Sequence, residues 1–218
     1  MVIHRNCYGT ILIVWIICLP LVFASFKLIP WPVLSYLLAI IPIFFMGFVL
    51  FFFRVPQRER VGEDNVVTSV ADGKVVVIEK VYEDEYIKGE CIQVSVYMDF
   101  FNVHVNFWPI DGQIRYYRYH PGKYMLAYLP KASELNEHTS TGMTTKYGEV
   151  FFKQIAGTFA RRIVNHAKPD MVVEKADECG IIKFGSRIDI FLPLDAEIKV
   201  KIGDYVKACE SVIAELKK

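Results

Sequence analysis

Apolar positions follow two regimes along this chain. Up to Phe53 they run almost unbroken. Residues 7–26 and 29–53 form two apolar stretches parted by a short break around Phe26-Lys27-Leu28, and the second carries no charge. A helix needs about 20 apolar residues to cross a bilayer, so each stretch reads as a transmembrane helix. Pro20, Pro30, Pro32 and Pro42 would break a soluble helix, but membrane helices accommodate such kinks. A second apolar segment follows the first at once and no clear A-x-A site lies between them, which favours a helical hairpin over a cleaved signal peptide. Arg5 precedes the first stretch, Arg54, Arg58 and Arg60 follow the second, and only Lys27 lies in the connection. By the positive-inside rule the N-terminus and the main domain then face the cytoplasm, with Trp15 and Trp31 suited to the interface.

From Val66 the pattern changes to short β-rich segments. Residues 73–81 are dense in β-branched side chains, and 92–96 alternate apolar and polar as a half-buried strand does. Further strands are predicted at 101–107, 113–119, 149–155, 181–184, 187–192, 197–201 and 211–215. Helices are predicted at 123–128 and 157–165, and the polar stretch 135–147 reads as a loop. The expected class is α+β, predominantly antiparallel β, with a membrane anchor at 1–60 and a soluble β-rich domain at 61–218.

Composition adds little beyond this. Hydrophobic residues make up 53% of the chain, and the excess sits in the anchor. A net charge of +1 leaves no basic stripe of the kind a nucleic-acid partner requires. Cys7, Cys18, Cys91, Cys179 and Cys209 show no zinc or C-x-x-C spacing and read as buried, reduced thiols. The sequence shows no metal-ligand cluster and no nucleotide-binding glycine loop.

The candidate chemistry begins at Gly185-Ser186, between two apolar strands. Alone, such a pair is a turn. It also permits something sharper. A serine hydroxyl can approach a glycine carbonyl closely and convert the strained amide to an ester. Elimination then leaves dehydroalanine, and hydrolysis releases ammonia and a pyruvoyl group at the new N-terminus. That ketone can form a Schiff base with an amine and accept electrons as carbon dioxide leaves.

Six blocks in order make the signal specific. They are Val70-Ala71-Asp72-Gly73, Asn102-Val103-His104-Val105-Asn106, His120-Pro121-Gly122-Lys123, Pro130-Lys131-Ala132-Ser133 with Asn136-Glu137, Gln154-Ile155-Ala156-Gly157 running on to Ala160-Arg161-Arg162-Ile163-Val164, and Phe184-Gly185-Ser186-Arg187-Ile188-Asp189. From about Thr68 onward the chain resembles the short, bacterial-type, pyruvoyl-dependent phosphatidylserine decarboxylases. It departs from many of them at Asn102, where Asp is common, and at Phe107, where Arg is common. The resemblance implies that Asp72, His104 and Ser186 act together in self-cleavage between Gly185 and Ser186. This would leave a β chain, 1–185, and an α chain, 186–218, as a heterodimer with a covalent pyruvoyl cofactor, acting on a phospholipid at the membrane.

Other residues are less committed. His120 reads as a substrate-site residue or a turn residue. Lys123, Lys131, Arg161 and Arg162 are candidates for the lipid phosphate or substrate carboxylate, or are solvated surface cations. Phe107, Trp108, Tyr124, Met125, Leu126 and Tyr128 would line an acyl-chain approach or belong to the core, while His4, His138 and His166 read as surface residues. Two rivals remain: a pyruvoyl decarboxylase of a soluble amino acid, and a membrane-tethered barrel-sandwich adaptor without catalysis.

Overall fold

The computed structural model describes residues 2–126, 135–158, 162–183 and 186–218. The chain forms two compact units, Met1–Pro56 and Gln57–Lys218.

The first unit is a helical hairpin. A 3₁₀ turn at Arg5–Cys7 leads into α1 (Tyr8–Leu28), and α2 spans Pro32–Phe52. The reversal falls at 29–31, just beyond the expected break, and Pro32 takes the first helical position, where its missing N–H costs nothing. Both helices are long and apolar enough to cross a membrane. Half of their buried positions are small, Cys18 and Ser25 on α1 and Ser35 and Ala39 on α2, beside Ile11, Pro42, Val49 and Phe52. Small side chains let helix backbones approach closely where no hydrophobic effect drives association. The two hydroxyls are satisfied inside their own helices, by Val22 O at 2.7 Å and Pro32 O at 2.9 Å. β1 (Val2–Ile3) pairs antiparallel with β2 (Arg54–Val55) and closes the hairpin's open end.

The second unit is predominantly β over its described residues. In order it contains β3 (Val66–Thr68), β4 (Gly73–Glu83), β5 (Gly89–Met98), β6 (Val105–Phe107), β7 (Gly112–His120), β8 (His138–Thr145), β9 (Gly148–Ala156), β10 (Ile163–Asn165), β11 (Val172–Val173), β12 (Glu178–Ile182), β13 (Ser186–Leu192), β14 (Glu197–Ile198), β15 (Tyr205–Val206) and β16 (Val212–Glu215). Eight strands make one sheet in the order β11-β7-β8-β9-β13-β5-β4-β15, and two three-stranded sheets, β10-β12-β6 and β14-β16-β3, complete the unit. Every strand pairing is antiparallel, as the sequence led us to expect.

Strand alternation sorts the large sheet into two faces. Val94, Val96, Met98, Phe152, Ile188 and Ile190 enter the main core with Trp108, Ile110 and Ile114. The other face carries a smaller apolar cluster, Cys91, Phe151 and Phe191. Beside it lie buried polar residues, among them Ser95, His138, Ser140, Arg187 and Asp189.

Four local expectations give way. The stretch 135–147, read as a loop, contains β8, because its hydroxyls find partners across the sheet. Thr139 Oγ1 donates to Gln154 Oε1 at 2.9 Å and Ser140 Oγ to Glu85 Oε2 at 2.9 Å. The helix expected at 157–165 is replaced at its end by β10, whose β-branched Ile163 and Val164 pair with Ile182 and Ile181; residues 159–161 lie outside the described set. The helix expected at 123–128 does not form over the described residues 123–126. Lys123 bridges Asn136, and residues 127–128 are outside the described set. The strand expected from 101 begins only at Val105, because Asp99 and Asn102 form a reciprocal turn: Asp99 Oδ1 accepts from Phe101 N at 2.8 Å and Asn102 Oδ1 from Asp99 N at 2.8 Å. All five cysteines are buried, and none is in a disulfide.

Candidate active site

Ser186 is the first residue of β13, fully buried, and faces Met98 on one side and Ala156 on the other. It therefore begins a strand held by ladders on both flanks. Its Oγ lies 3.7 Å from Met98 Sδ, a weak donor contact. Asn106 Nδ2 reaches the same sulfur at 3.8 Å. A buried amide relay continues from there. Gln154 Nε2 donates to Asn106 Oδ1 at 2.8 Å, and Gln154 Oε1 accepts from Asn165 Nδ2 at 2.7 Å. Each amide orients the next, so the environment of Ser186 is specified by hydrogen bonds as well as by packing.

His104, fully buried, lies two residues before Asn106, just ahead of β6. Its Nδ1 is 3.0 Å from Asn102 O. A carbonyl only accepts, so Nδ1 carries the proton and the basic lone pair falls on Nε2. His104 O accepts from Ile182 N at 3.2 Å, which ties this segment to the chain four residues before Ser186.

Asp72 precedes Gly73 at the end of β4 beside Met98. Gly73 lies so close to Tyr97 that a Cβ would meet its carbonyl oxygen at 2.2 Å. Both Asp72 oxygens contact Arg58 Nη2, at 2.9 and 2.8 Å, and Oδ1 also accepts from Ala208 N at 2.8 Å. Ser186 and the Asp72-Gly73 pair thus adjoin the C-terminal end of β5, and His104 lies in the segment that leads from that strand to β6. The contacts described for their side chains run to Arg58 and Ala208, to Asn102, and to Met98.

Of the other candidates, Lys123 is exposed at this end of the sheet. Lys131, Arg161 and Gly185 lie outside the described residues. His120 is turned elsewhere: its Nε2 lies 2.6 Å from Glu85 Oε1, and its ring stacks on His138 at 4.3 Å. His4 and His138, expected at the surface, are buried. His138 Nδ1 finds Asn136 O at 2.7 Å. Burial, with His120 and Lys153 nearby, pushes its pKa below the ordinary value. Phe107 and Trp108 are core residues, whereas Tyr124 and Leu126 are exposed. Sequence reasoning did not single out Arg58, Met98, Asn106 or Gln154 as site residues. Asn106 and Gln154 stand inside the quoted blocks, which was the available signal; Arg58 read only as a flanking charge.

The family model for phosphatidylserine decarboxylase matches residues 45–214. A phosphatidylserine decarboxylase proenzyme of Amoebophilus asiaticus is 50% identical over 169 residues, covering 77% of this chain and 75% of the relative. Proenzymes of the same description from Cytophaga hutchinsonii, 40% identical over 99% of both chains, and from Parabacteroides distasonis, 36% identical over 100% of both, extend the likeness through the helical hairpin. The chain belongs to the phosphatidylserine decarboxylase family.

Proposed function

We propose that this protein is a self-processing decarboxylase that converts phosphatidylserine to phosphatidylethanolamine, with its reactive group made from Ser186. The observation that carries the reading is the position of Ser186, fully buried at the head of a strand paired on both sides. Cleavage just before it removes only the residue 186 nitrogen from β13, and the rest of the strand would stay fixed by β5 and β9. The α chain, 186–218, would remain attached for the same reason, since β15 and β16 also pair with β4 and β3.

In this reading His104 Nε2 takes the proton of Ser186 as its oxygen attacks the preceding carbonyl. Asp72, steadied by Arg58 and Ala208, supplies the negative charge that favours the imidazolium. The surroundings fit the product group, because residue 186 is sealed from solvent and faces Met98 and the Asn106–Gln154 relay. A pyruvoyl group there supplies a ketone for the substrate amine and an electron sink as the carboxylate is lost. His104 returns the proton to the α-carbon, a task that suits an imidazole. Burial excludes water and so favours spread charge over a localised carboxylate.

A lipid substrate is supported by the rim of this site. Phe100, Phe101, Tyr124, Leu126 and Leu135 are exposed in the segments next to the ends of β5 and β8 where Ser186 and its neighbours lie. Lys123, exposed in the same segments, suits the lipid phosphate. The helical hairpin would hold the enzyme at the bilayer, and the arginines flanking it support a cytoplasmic catalytic unit by the positive-inside rule.

The deciding experiment is intact-mass analysis of the full-length chain purified in detergent. The reading requires an α chain starting at residue 186 with a blocked N-terminus that borohydride traps with an amine, lipid decarboxylation by the cut protein, and no cut in Ser186→Ala. A fully active, uncut chain would end it.

A further inference from the structure

On the face of the large sheet opposite Ser186, three residues far apart in sequence come together. His120 and His138 are directly opposed across β7 and β8, and Glu85 reaches them from the turn after β4. One ligand atom from each lies within 4.8 Å of the other two. The arrangement carries the marks of a built donor set. His138 donates Nδ1–H to Asn136 O at 2.7 Å, which fixes its tautomer and directs the Nε2 lone pair away from that carbonyl. Asn136 is itself held rigid, with Nδ2 bound to Met125 O at 2.8 Å and Ala156 O at 2.7 Å. Glu85 uses its two oxygens differently. Oε2 is braced by Ser140 Oγ at 2.9 Å and Lys153 Nζ at 3.1 Å, while Oε1 faces His120 Nε2 at 2.6 Å and Tyr116 OH at 3.1 Å. Metal sites show the same division at the carboxylate, with one oxygen on the ion and the other on an outer partner, and the same anchoring of an imidazole through its second nitrogen that His138 shows.

We propose that Glu85, His120 and His138 form a binding site for one divalent transition-metal ion, zinc being the ion best suited. Two imidazoles and a carboxylate are a familiar zinc set, and a fourth, open position falls to water. Ligand distances of about 2.0–2.2 Å put tetrahedral donors about 3.4 Å apart, so Glu85 Oε1 and His120 Nε2, 2.6 Å apart, must part slightly while the wider separations, within 4.8 Å, draw in. Glu83 lies 3.9 Å from Lys153 Nζ and offsets that ammonium. A bound ion would pin the turn after β4 onto β7 and β8. It would also brace Asn136, whose amide holds Ala156, the residue opposite Ser186. The site is independent of how Ser186 is processed.

The test uses the full-length chain in detergent, purified without a polyhistidine tag and stripped by chelator. Cobalt(II) should saturate at one equivalent, with visible bands of a nitrogen- and oxygen-ligated tetrahedral ion and no thiolate charge-transfer band, and zinc should displace it. His138→Ala and Glu85→Gln should each weaken binding by about 100-fold or more. His166→Ala should not, although its imidazole also faces a carboxylate, Glu178, at 3.6 Å. Zinc should raise the melting temperature of the wild-type chain and leave that of His138→Ala unmoved. Should the variants fail to fold, the cobalt spectrum of the wild-type chain still decides. Sulfur ligation, absence of a saturable band, or undiminished binding in a folded His138→Ala would each overturn the proposal.

Discussion

Arg58 holds Asp72 through a single nitrogen. Nη2 lies 2.9 and 2.8 Å from the two carboxylate oxygens, with both side chains largely buried, while Nη1 turns to Glu210. Arg58 Nε is buried without a partner among the described residues, so the guanidinium is placed for Asp72 rather than for its own full satisfaction. Arg58→Gln should therefore cost up to about 3–5 kcal/mol, the range for stranding a buried charge. It should also slow self-cleavage, because Asp72 loses its orientation. Urea unfolding in a Ser186→Ala background reads the stability separately from processing. Arg60→Gln, which breaks exposed pairs with Asp64 and Asp111, should cost only about 0–1 kcal/mol and leave cleavage untouched. Wild-type cleavage in Arg58→Gln would reduce Arg58 to a structural role.

Phe101 tests the lipid rim. It is 69% exposed in the turn after β5. Phe101→Ser should change stability by no more than about 0.5 kcal/mol, as surface substitutions usually do. Self-cleavage should proceed normally, while turnover of phosphatidylserine in vesicles should fall several-fold. Unchanged vesicle turnover would separate this turn from the lipid's approach.

Gly142 makes room for Tyr86. A Cβ at this position would meet the Tyr86 ring at 2.7 Å, and that ring stacks on Phe151 with centroids 5.7 Å apart. Gly142→Ala should thus cost about 1–3 kcal/mol by overpacking. Because Glu85 is the residue before Tyr86, the same change should weaken metal uptake. Equal stability and metal affinity in Gly142→Ala would mean the turn can shift without cost.

The strands most easily read from the sequence were those whose burial is apolar. The runs at 73–81, 92–96 and 187–192 announce themselves through β-branched alternation, and all three lie in the large sheet. β8 was illegible because its satisfaction is not local. Thr139, Ser140 and Thr141 look solvated until Gln154, Glu85 and Asn165 are brought to them by the fold. The same applies to the site. Ser186, His104 and Asp72 stand out by chemistry and by their blocks, but the partners that position them are set by topology. Asn106 meets Gln154 across 48 positions, and Asp72 meets Ala208 across 136. His138 read as a surface residue because nothing nearby in sequence reveals that its strand neighbours are β7 and β9.

The cluster around Glu85 also predicts how stability responds to acid. Burial alone would raise the Glu85 carboxyl, but Lys153, His120 and Ser140 outweigh it and bring the pKa down from 4.5 to about 2. A carboxylate with a depressed native pKa stabilises the fold above its unfolded value, and that contribution drains away as pH falls from 4.5 toward 2. His138 acts earlier. Burial lowers its native pKa below 6.5, so beneath that pH the unfolded chain binds the proton more readily and the fold loses stability. In metal-free protein the urea midpoint should therefore decline in two stages, the first beginning near pH 6.5 and the second below 4.5. His138→Asn should remove most of the first stage and Glu85→Gln should shrink the second. Each is compared with wild type as a change in slope, because other carboxylates, Asp111 among them, also titrate low. If His138→Asn tracked the wild-type curve between pH 7 and 5, the imidazole would be titrating as freely in the folded chain as in the unfolded one, and its burial against Asn136 would have no energetic consequence.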